Sequence, residues 1–275
     1  AITWGTAGIG KIDIVEANTQ GCAGGISSQN ITINAIPTAP IVSPTLAVCA
    51  GNIQIYTASG QVGSTFAWTV TGGLPATGSG NTLAVTWGSA GTGTLSIIQT
   101  SSTNCPSIAT NQNIAINPNP IAPTIAPATA TCAGSTVAYT ATGQVGSTFA
   151  WTVTGGLPAT GAGNTLAITW GNGVSGNISI IETSSAGCVS PASIRNITIN
   201  ALPTALAITP ITAVCAGNIQ MYSITNPNVG STFAWTVTGG LPATGAGNTL
   251  AITWGTAGIG KIDIVEANTQ GCAGG

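Results

Sequence analysis

Apolar and polar residues alternate with period two over many short stretches of the chain, and no stretch carries the 3.6-residue period of a helix. In "FAWTVTG", Phe66, Trp68 and Val70 share one face while Ala67, Thr69 and Thr71 share the other. "NTLAVTW" repeats the pattern, with Leu83, Val85 and Trp87 inward and Thr82, Ala84 and Thr86 outward. Leu95 and Ile97 fall together in "GTLSIIQT", as do Ile114 and Ile116 in "NQNIAINP". "NIQIYTA" is a further strand whose inward face the pattern leaves open, because its second copy reads "STVAYTA". Between these runs lie "TGGLPATGSGN", "GSAGTG" and "NPNPIAP", rich in the Gly, Pro, Asn and Ser of turns and linkers.

The strands recur. "GSTFAWTVTGGLPATG" stands unchanged at 63–78, 146–161 and 230–245, at offsets of 83 and 84. The extra residue falls between two strands: "TASGQV" (57–62) and "TATGQV" (140–145) become "SITNPNV" (223–229), as loops tolerate. Residues 1–25 are identical to 251–275, an offset of 250 that spans three units of about 83 residues. Such repetition predicts a window on a longer array. The expected units are 37–119, 120–203 and 204–275, with 1–36 supplying the last three strands of a preceding unit. The third unit stops before its own last strand, which a stretch like 26–36 would supply if the period continued.

Six or seven short strands in such a unit, separated by turns every eight to twelve residues, predict a Greek-key β-sandwich of the immunoglobulin-like kind. The expected fold is therefore all-β, with sandwiches in tandem and short Pro-containing joints placing them end to end. Trp68, Trp151 and Trp235 sit mid-strand, at the place of a core tryptophan. Trp87, Trp170 and Trp254 end a second strand nineteen residues later, and two large aromatics supply much of a small core.

Composition narrows the function. Three basic and five acidic residues in 275, and no histidine, leave 3% charged, against roughly a quarter in an ordinary domain. Lys11, Arg195 and Lys261 cannot form the basic face that nucleic acid requires. Asp13, Glu16, Glu182, Asp263 and Glu266 are too few and scattered for a calcium site or a glycosidase carboxylate pair. Lacking histidine, the chain has no ordinary triad base. No catalytic residue, metal site or cofactor is expected. No run of eighteen apolar residues exists, so the chain is not expected to span a membrane. "GTAGIG" and "GTGTLS" faintly resemble phosphate loops, but no helix or lysine follows, and they read as turns. Lys11 with Asp13, and Lys261 with Asp263, lie two apart on one strand face as solvated pairs.

The seven cysteines, Cys22, Cys49, Cys105, Cys132, Cys188, Cys215 and Cys272, are spaced 27, 56, 27, 56, 27 and 57 apart. One pair of positions per repeat, without clustered Cys-x-x-Cys, points to structural disulfides and an oxidising compartment. Pairing within a repeat (Cys49–Cys105, Cys132–Cys188, Cys215–Cys272) must join opposite ends of a sandwich, beyond the ~7 Å that bonded Cα atoms allow. Pairing between neighbours (Cys49–Cys188, Cys132–Cys272) joins the bottom of one to the top of the next and is favoured. The first scheme would need a distorted topology.

The pattern "VCAGNIQIYTA…FAWTVTGG…GSGNTLAVTWG…GTLSIIQTSSTNC" resembles the PKD-like and immunoglobulin-like tandem repeats of surface adhesins secreted by Bacteroidota. That resemblance implies export to the bacterial cell surface and a place in long adhesins or surface fibres serving adhesion, biofilm or motility. It implies no active site. Two readings remain. One is a structural segment of an extracellular filament whose partners are its own continuation and lateral copies. The other is an array of modules that bind glycans or surfaces, appended to a secreted enzyme or adhesin.

Overall fold

A computed structural model describes residues 1–274, and every regular element among them is a β-strand. The first 119 residues hold β1 (Gly8–Ala17), β2 (Ala23–Ile33), β3 (Ile41–Ser43), β4 (Val48–Cys49), β5 (Ile53–Ser59), β6 (Thr65–Thr71), β7 (Gly73–Leu74), β8 (Thr77–Ser79), β9 (Thr82–Trp87), β10 (Gly91–Thr100) and β11 (Thr110–Asn117). β1 and β2 form an antiparallel hairpin, while β3 to β11 build two sheets ordered β3-β5-β9-β7 and β4-β11-β10-β6-β8. All pairings in the two sheets are antiparallel except the short parallel bridge of β4 to β11. Consecutive strands β5 and β6 lie in different sheets, as do β9 and β10, the crossing that defines a Greek-key sandwich.

The pattern repeats. Strands Thr136–Thr142 and Thr165–Trp170 anchor one sheet of the second copy, and Thr148–Thr154, Ser175–Thr183 and Ser193–Asn200 the other. The third copy has Ile219–Thr225 and Thr249–Trp254 in one sheet, facing Thr232–Thr238 and Lys261–Ala267 in the other. Each copy has its own apolar core. The chain is an all-β tandem of immunoglobulin-like sandwiches. It divides into two compact units, one of residues 1–119 with 186–188, the other of 120–185 with 189–275. No helix among the described residues is long and apolar enough to cross a membrane.

The cores follow the alternation. Trp68, Val70, Val85, Trp87, Leu95, Ile97, Ile114 and Ile116 are all buried together. The inward face of β5, open from the pattern, is that of Tyr56 and Ala58, leaving Ile53 and Ile55 exposed. Tyr139 and Ala141 repeat the choice.

Two expectations are corrected. "GTGTLS" is not a turn: Gly91 to Ser96 all lie in β10, paired with β11. Its Gly93 is needed because the Trp87 ring lies over it, and a Cβ there would stand 2.1 Å from that ring. Likewise "GTAGIG" runs into β1 at Gly8 in the first copy. Secondly, 1–36 forms two strands and not three. Ala1–Trp4 makes no ladder, because its counterpart in β9 pairs with β5, and nothing in 1–36 corresponds to β5.

Candidate functional site

Four cysteines are bonded, Cys49 to Cys188 and Cys132 to Cys272, across 139 and 140 residues of sequence. Both pairs have Cα atoms 5.5 Å apart, within bonding range. These are the bonds between neighbouring repeats. One cysteine of each pair lies in the short parallel bridge at the end of a sandwich: Cys49 pairs with Asn117, and Cys132 with Asn200. The other lies in the loop after the fourth long strand of its sandwich, Ser175–Thr183 for Cys188 and Lys261–Ala267 for Cys272. In the third copy, Asn268 Oδ1 accepts from Gln270 N at 3.1 Å and from Cys272 N at 2.9 Å. The same Asn268 donates through Nδ2 to Ala201 O at 3.0 Å, which fixes the loop beside the Cys132 bridge. Cys188 and Cys272 are almost fully buried. Cys22, Cys105 and Cys215 carry free thiols, Cys22 and Cys215 exposed and Cys105 half-buried.

The two tryptophans of a sandwich have separate tasks. Trp68, Trp151 and Trp235 each donate Nε1–H to the carbonyl twelve residues on, at Gly80, Gly163 and Gly247, at 2.7–2.8 Å. That bond ties a core strand to the turn before the next one. Trp87, Trp170 and Trp254 donate instead to the hydroxyls of Tyr56, Tyr139 and Tyr222, at 2.9–3.1 Å, with the rings edge to face. A buried indole N–H needs such a partner. Burial raises the Tyr56 and Tyr139 hydroxyls above their ordinary pKa of 10.0, and the tryptophan N–H opposes that rise. Trp254 is only half-buried, unlike its counterparts Trp87 and Trp170.

One polar strand-end position holds Glu16, Gln99 or Glu182 in different copies, from which the sequence shows only that a carboxylate is not required there. Gln99, Glu182 and Glu266 are equivalent, and each is 0% exposed. Gln99 accepts from Gln61 N through Oε1 at 3.0 Å and donates through Nε2 to Thr38 O at 2.5 Å. Glu182 Oε1 accepts from Gln144 N at 2.6 Å, but its Oε2 has no partner. In the third copy the loop is one residue longer and the side chain of Asn228 takes over, donating to Glu266 Oε1 at 2.8 Å. Glu266 Oε2 is again unpartnered. The space comes from glycine: a Cβ on Gly60 or Gly143 would strike Gln99 or Glu182 at 2.0 and 2.3 Å. This side chain plugs the loop after the first core strand, and the only sequence signal was the Gln/Glu interchange.

The charged pairs lie at the surface. Lys11 Nζ is 2.9 Å from Asp13 and Lys261 Nζ is 2.8 Å from Asp263, all well exposed. Hydrogen bonds from Ser28 and then Lys11 hold the Asp13 carboxyl below its usual range. Among the described residues no group of three or more His, Cys, Asp or Glu side chains is placed to hold a metal. No two of the buried carboxyl groups belong to the same sandwich core. The arrangement that recurs is a covalent one.

Residues 201–274 match the PKD-like domain family. No curated protein matches the chain. Among solved structures it is similar to the fibronectin(III)-like modules of Clostridium thermocellum CbhA, at 16% identity over 58% of this chain and 95% of that one, with a TM-score of 0.35. It is also similar to the FN1–FN3 domains of chicken CNTN1, at 11% identity over 88% and 96%, TM-score 0.29. An I-band fragment of titin shows 10% identity over 86% and 94%, TM-score 0.31.

Proposed function

We propose that the chain is a non-catalytic structural segment of a long extracellular filament or adhesin at a bacterial cell surface. Its repeats are bounded as 37–119, 120–203 and 204–275, and its partners are the continuation of the same array and lateral copies. The observation that carries this reading is the pair of bonds from one repeat to the next, Cys49–Cys188 and Cys132–Cys272. Disulfides persist in oxidising compartments, which supports export. Bonds that run from each repeat to its neighbour serve a chain under tension, since a sandwich alone is held by non-covalent contacts. The nearly uncharged surface supports lateral association, because little repulsion opposes it.

A second reading, an array of glycan- or surface-binding modules, draws on a recess at the loop after the first core strand. It has a volume of about 690 Å³ in the first repeat and about 640 Å³ in the second. Hydroxyls and amides of Ser64, Thr65 and Asn81 line it beside the Phe66 ring, a mix that suits sugars.

The test is immunogold labelling of unpermeabilised source cells with antibody against the chain. Label along thin surface filaments, lost when the gene is deleted, is the expected result. Label confined inside the cells would overturn the proposal. Binding of the purified chain to a glycan array, lost on substitution of Asn81, would favour the second reading.

A further inference from the structure

The outward faces of the two sheets in a sandwich are chemically unlike. The sheet β4-β11-β10-β6-β8 turns hydroxyls to solvent: Thr69 lies opposite Ser96 and Thr71 opposite Thr94, and the hydroxyls of the last pair are hydrogen-bonded at 2.6 Å. The sheet β3-β5-β9-β7 turns large apolar side chains outward instead. Leu74 and Ile53 flank Thr86 from its two sides, and Ile55 follows beside Ala84. The third repeat builds the same face, where Leu241 and Ile219 flank Thr253 and Met221 lies beside Ala251. These large side chains are 56–72% exposed.

The fold does not require them. The second repeat has Thr136 and Ala138 where the first has Ile53 and Ile55, and its strand Thr136–Thr142 pairs with Thr165–Trp170 in the same register. Charge is segregated as well. Lys11, Asp13, Glu16, Glu182, Arg195, Lys261, Asp263 and Glu266 all lie in other strands, so neither this sheet nor its two counterparts carries a charged residue. A face that is to stay in water normally carries charge. A contiguous apolar patch without it marks a contact surface.

Area and chemistry identify the occupant. Strands ~4.8 Å apart, with seven residues at ~3.3 Å each in the longest, present roughly 400 Å² per face. A stable contact takes about 800 Å² from each partner. One face supplies about half of that, and the faces of the first and third repeats together supply the whole. An uncharged apolar face also matches a copy of itself, since packing two of them buries no ion.

We infer that this sheet face is where a second copy of the chain packs, with Ile53, Ile55 and Leu74, and Ile219, Met221 and Leu241, interleaved between the two copies. The geometry is sheet against sheet about 10 Å apart, as inside a sandwich. Each copy offers the same surface, so the contact is isologous and lateral. The inference rests on the filament reading, whose lateral copies it assigns to one face.

The test is sedimentation velocity of the 275-residue chain over a range of concentrations, with free thiols alkylated so that no disulfide links the copies. Wild type is expected to pass from monomer to dimer as concentration rises. The variant Ile53→Thr, Ile55→Ala, Ile219→Thr, Met221→Ala gives the first and third repeats the residues of the second, with which the sandwich folds. Its circular dichroism is expected to be unchanged and its dissociation constant to rise by about tenfold or more, because four apolar side chains leave the contact. Thr69→Lys with Thr236→Lys, on the outward face of the other sheet, is expected to leave dimerisation as in wild type. Full association by the fourfold variant would overturn the inference, and so would its loss in the folded lysine variant. A monomeric wild type would overturn it too, while leaving the filament itself, which surface labelling tests separately. A monomer that adheres to an octyl-coated surface through these four residues would overturn the second copy as occupant.

Discussion

Gln99 shows what its counterparts lack. Its amide supplies one acceptor and one donor, and both are used. Glu182 supplies two acceptor oxygens to a buried place that offers one donor, and Oε2 is left without a partner. An unmade hydrogen bond of this sort costs about 1–3 kcal/mol. Glu182→Gln is therefore expected to raise stability by ~1 kcal/mol in urea denaturation, with Ile121, which corresponds to Thr38, providing the acceptor. A loss of stability would contradict the comparison between repeats. Tyr139 gives an opposite case. Tyr139→Phe leaves the Trp170 N–H buried without its acceptor, and is expected to cost ~1 kcal/mol or more at neutral pH. Its pH dependence has a definite sign. The folded-state pKa of Tyr139 lies above 10.0, so its contribution is complete below pH 10 and is lost as pH rises through the folded value. The variant should accordingly lose less stability than wild type above pH 10, measured by unfolding at successive pH values. Alternation placed the tryptophans of this pair inward. It was silent on the tyrosine, because the second copy reads "STVAYTA" and the partner of the Tyr56 hydroxyl, the Trp87 indole N–H, is invisible to a hydrophobic pattern.

At the scale of elements, strands are set by alternation and interrupted by glycine, but glycine has two meanings here. Gly72 and Gly80 have φ of 76° and 86° and bound turns, as a Gly-rich run suggests. Gly93 and Gly176 lie in the middle of a sheet, because the indoles of Trp87 and Trp170 rest on their backbone. Sequence alone does not separate the two, and "GTGTLS" was misread for that reason. A Cβ at Gly176 would fall 2.0 Å from the Trp170 ring. Gly176→Ala is expected to destabilise by about 1–3 kcal/mol, the usual effect of overpacking. Thermal unfolding followed by tryptophan fluorescence would show it, with no such change for the exposed Gly173. The strands and most of their inward faces were legible because turns and alternation repeat at the same spacing three times. The plug formed by Gln99, Glu182 and Glu266 was not, because a polar residue at a strand end looks like surface.

At the scale of the whole chain, the two bonds overlap along the sequence: residues 132–188 lie inside both closed loops. A force applied at the ends must follow the shortest covalent path. That path runs forward to Cys49, crosses to Cys188, returns along the chain to Cys132, crosses to Cys272 and leaves. Forty-eight steps, then fifty-six, then three make up about 107 residue lengths, in place of the 274 steps of the unbridged chain. Sequence spacing made this pairing preferable, since the two cysteines of one repeat lie at opposite ends of a sandwich. The most direct test is single-molecule force extension of the chain held at its two ends, with free thiols alkylated, before and after reduction. At ~3.3–3.6 Å per residue, the oxidised chain is expected to stop at ~350–390 Å and the reduced chain at ~900–990 Å. An oxidised chain that extends as far as the reduced one would contradict the covalent joining of successive repeats, and with it the filament reading.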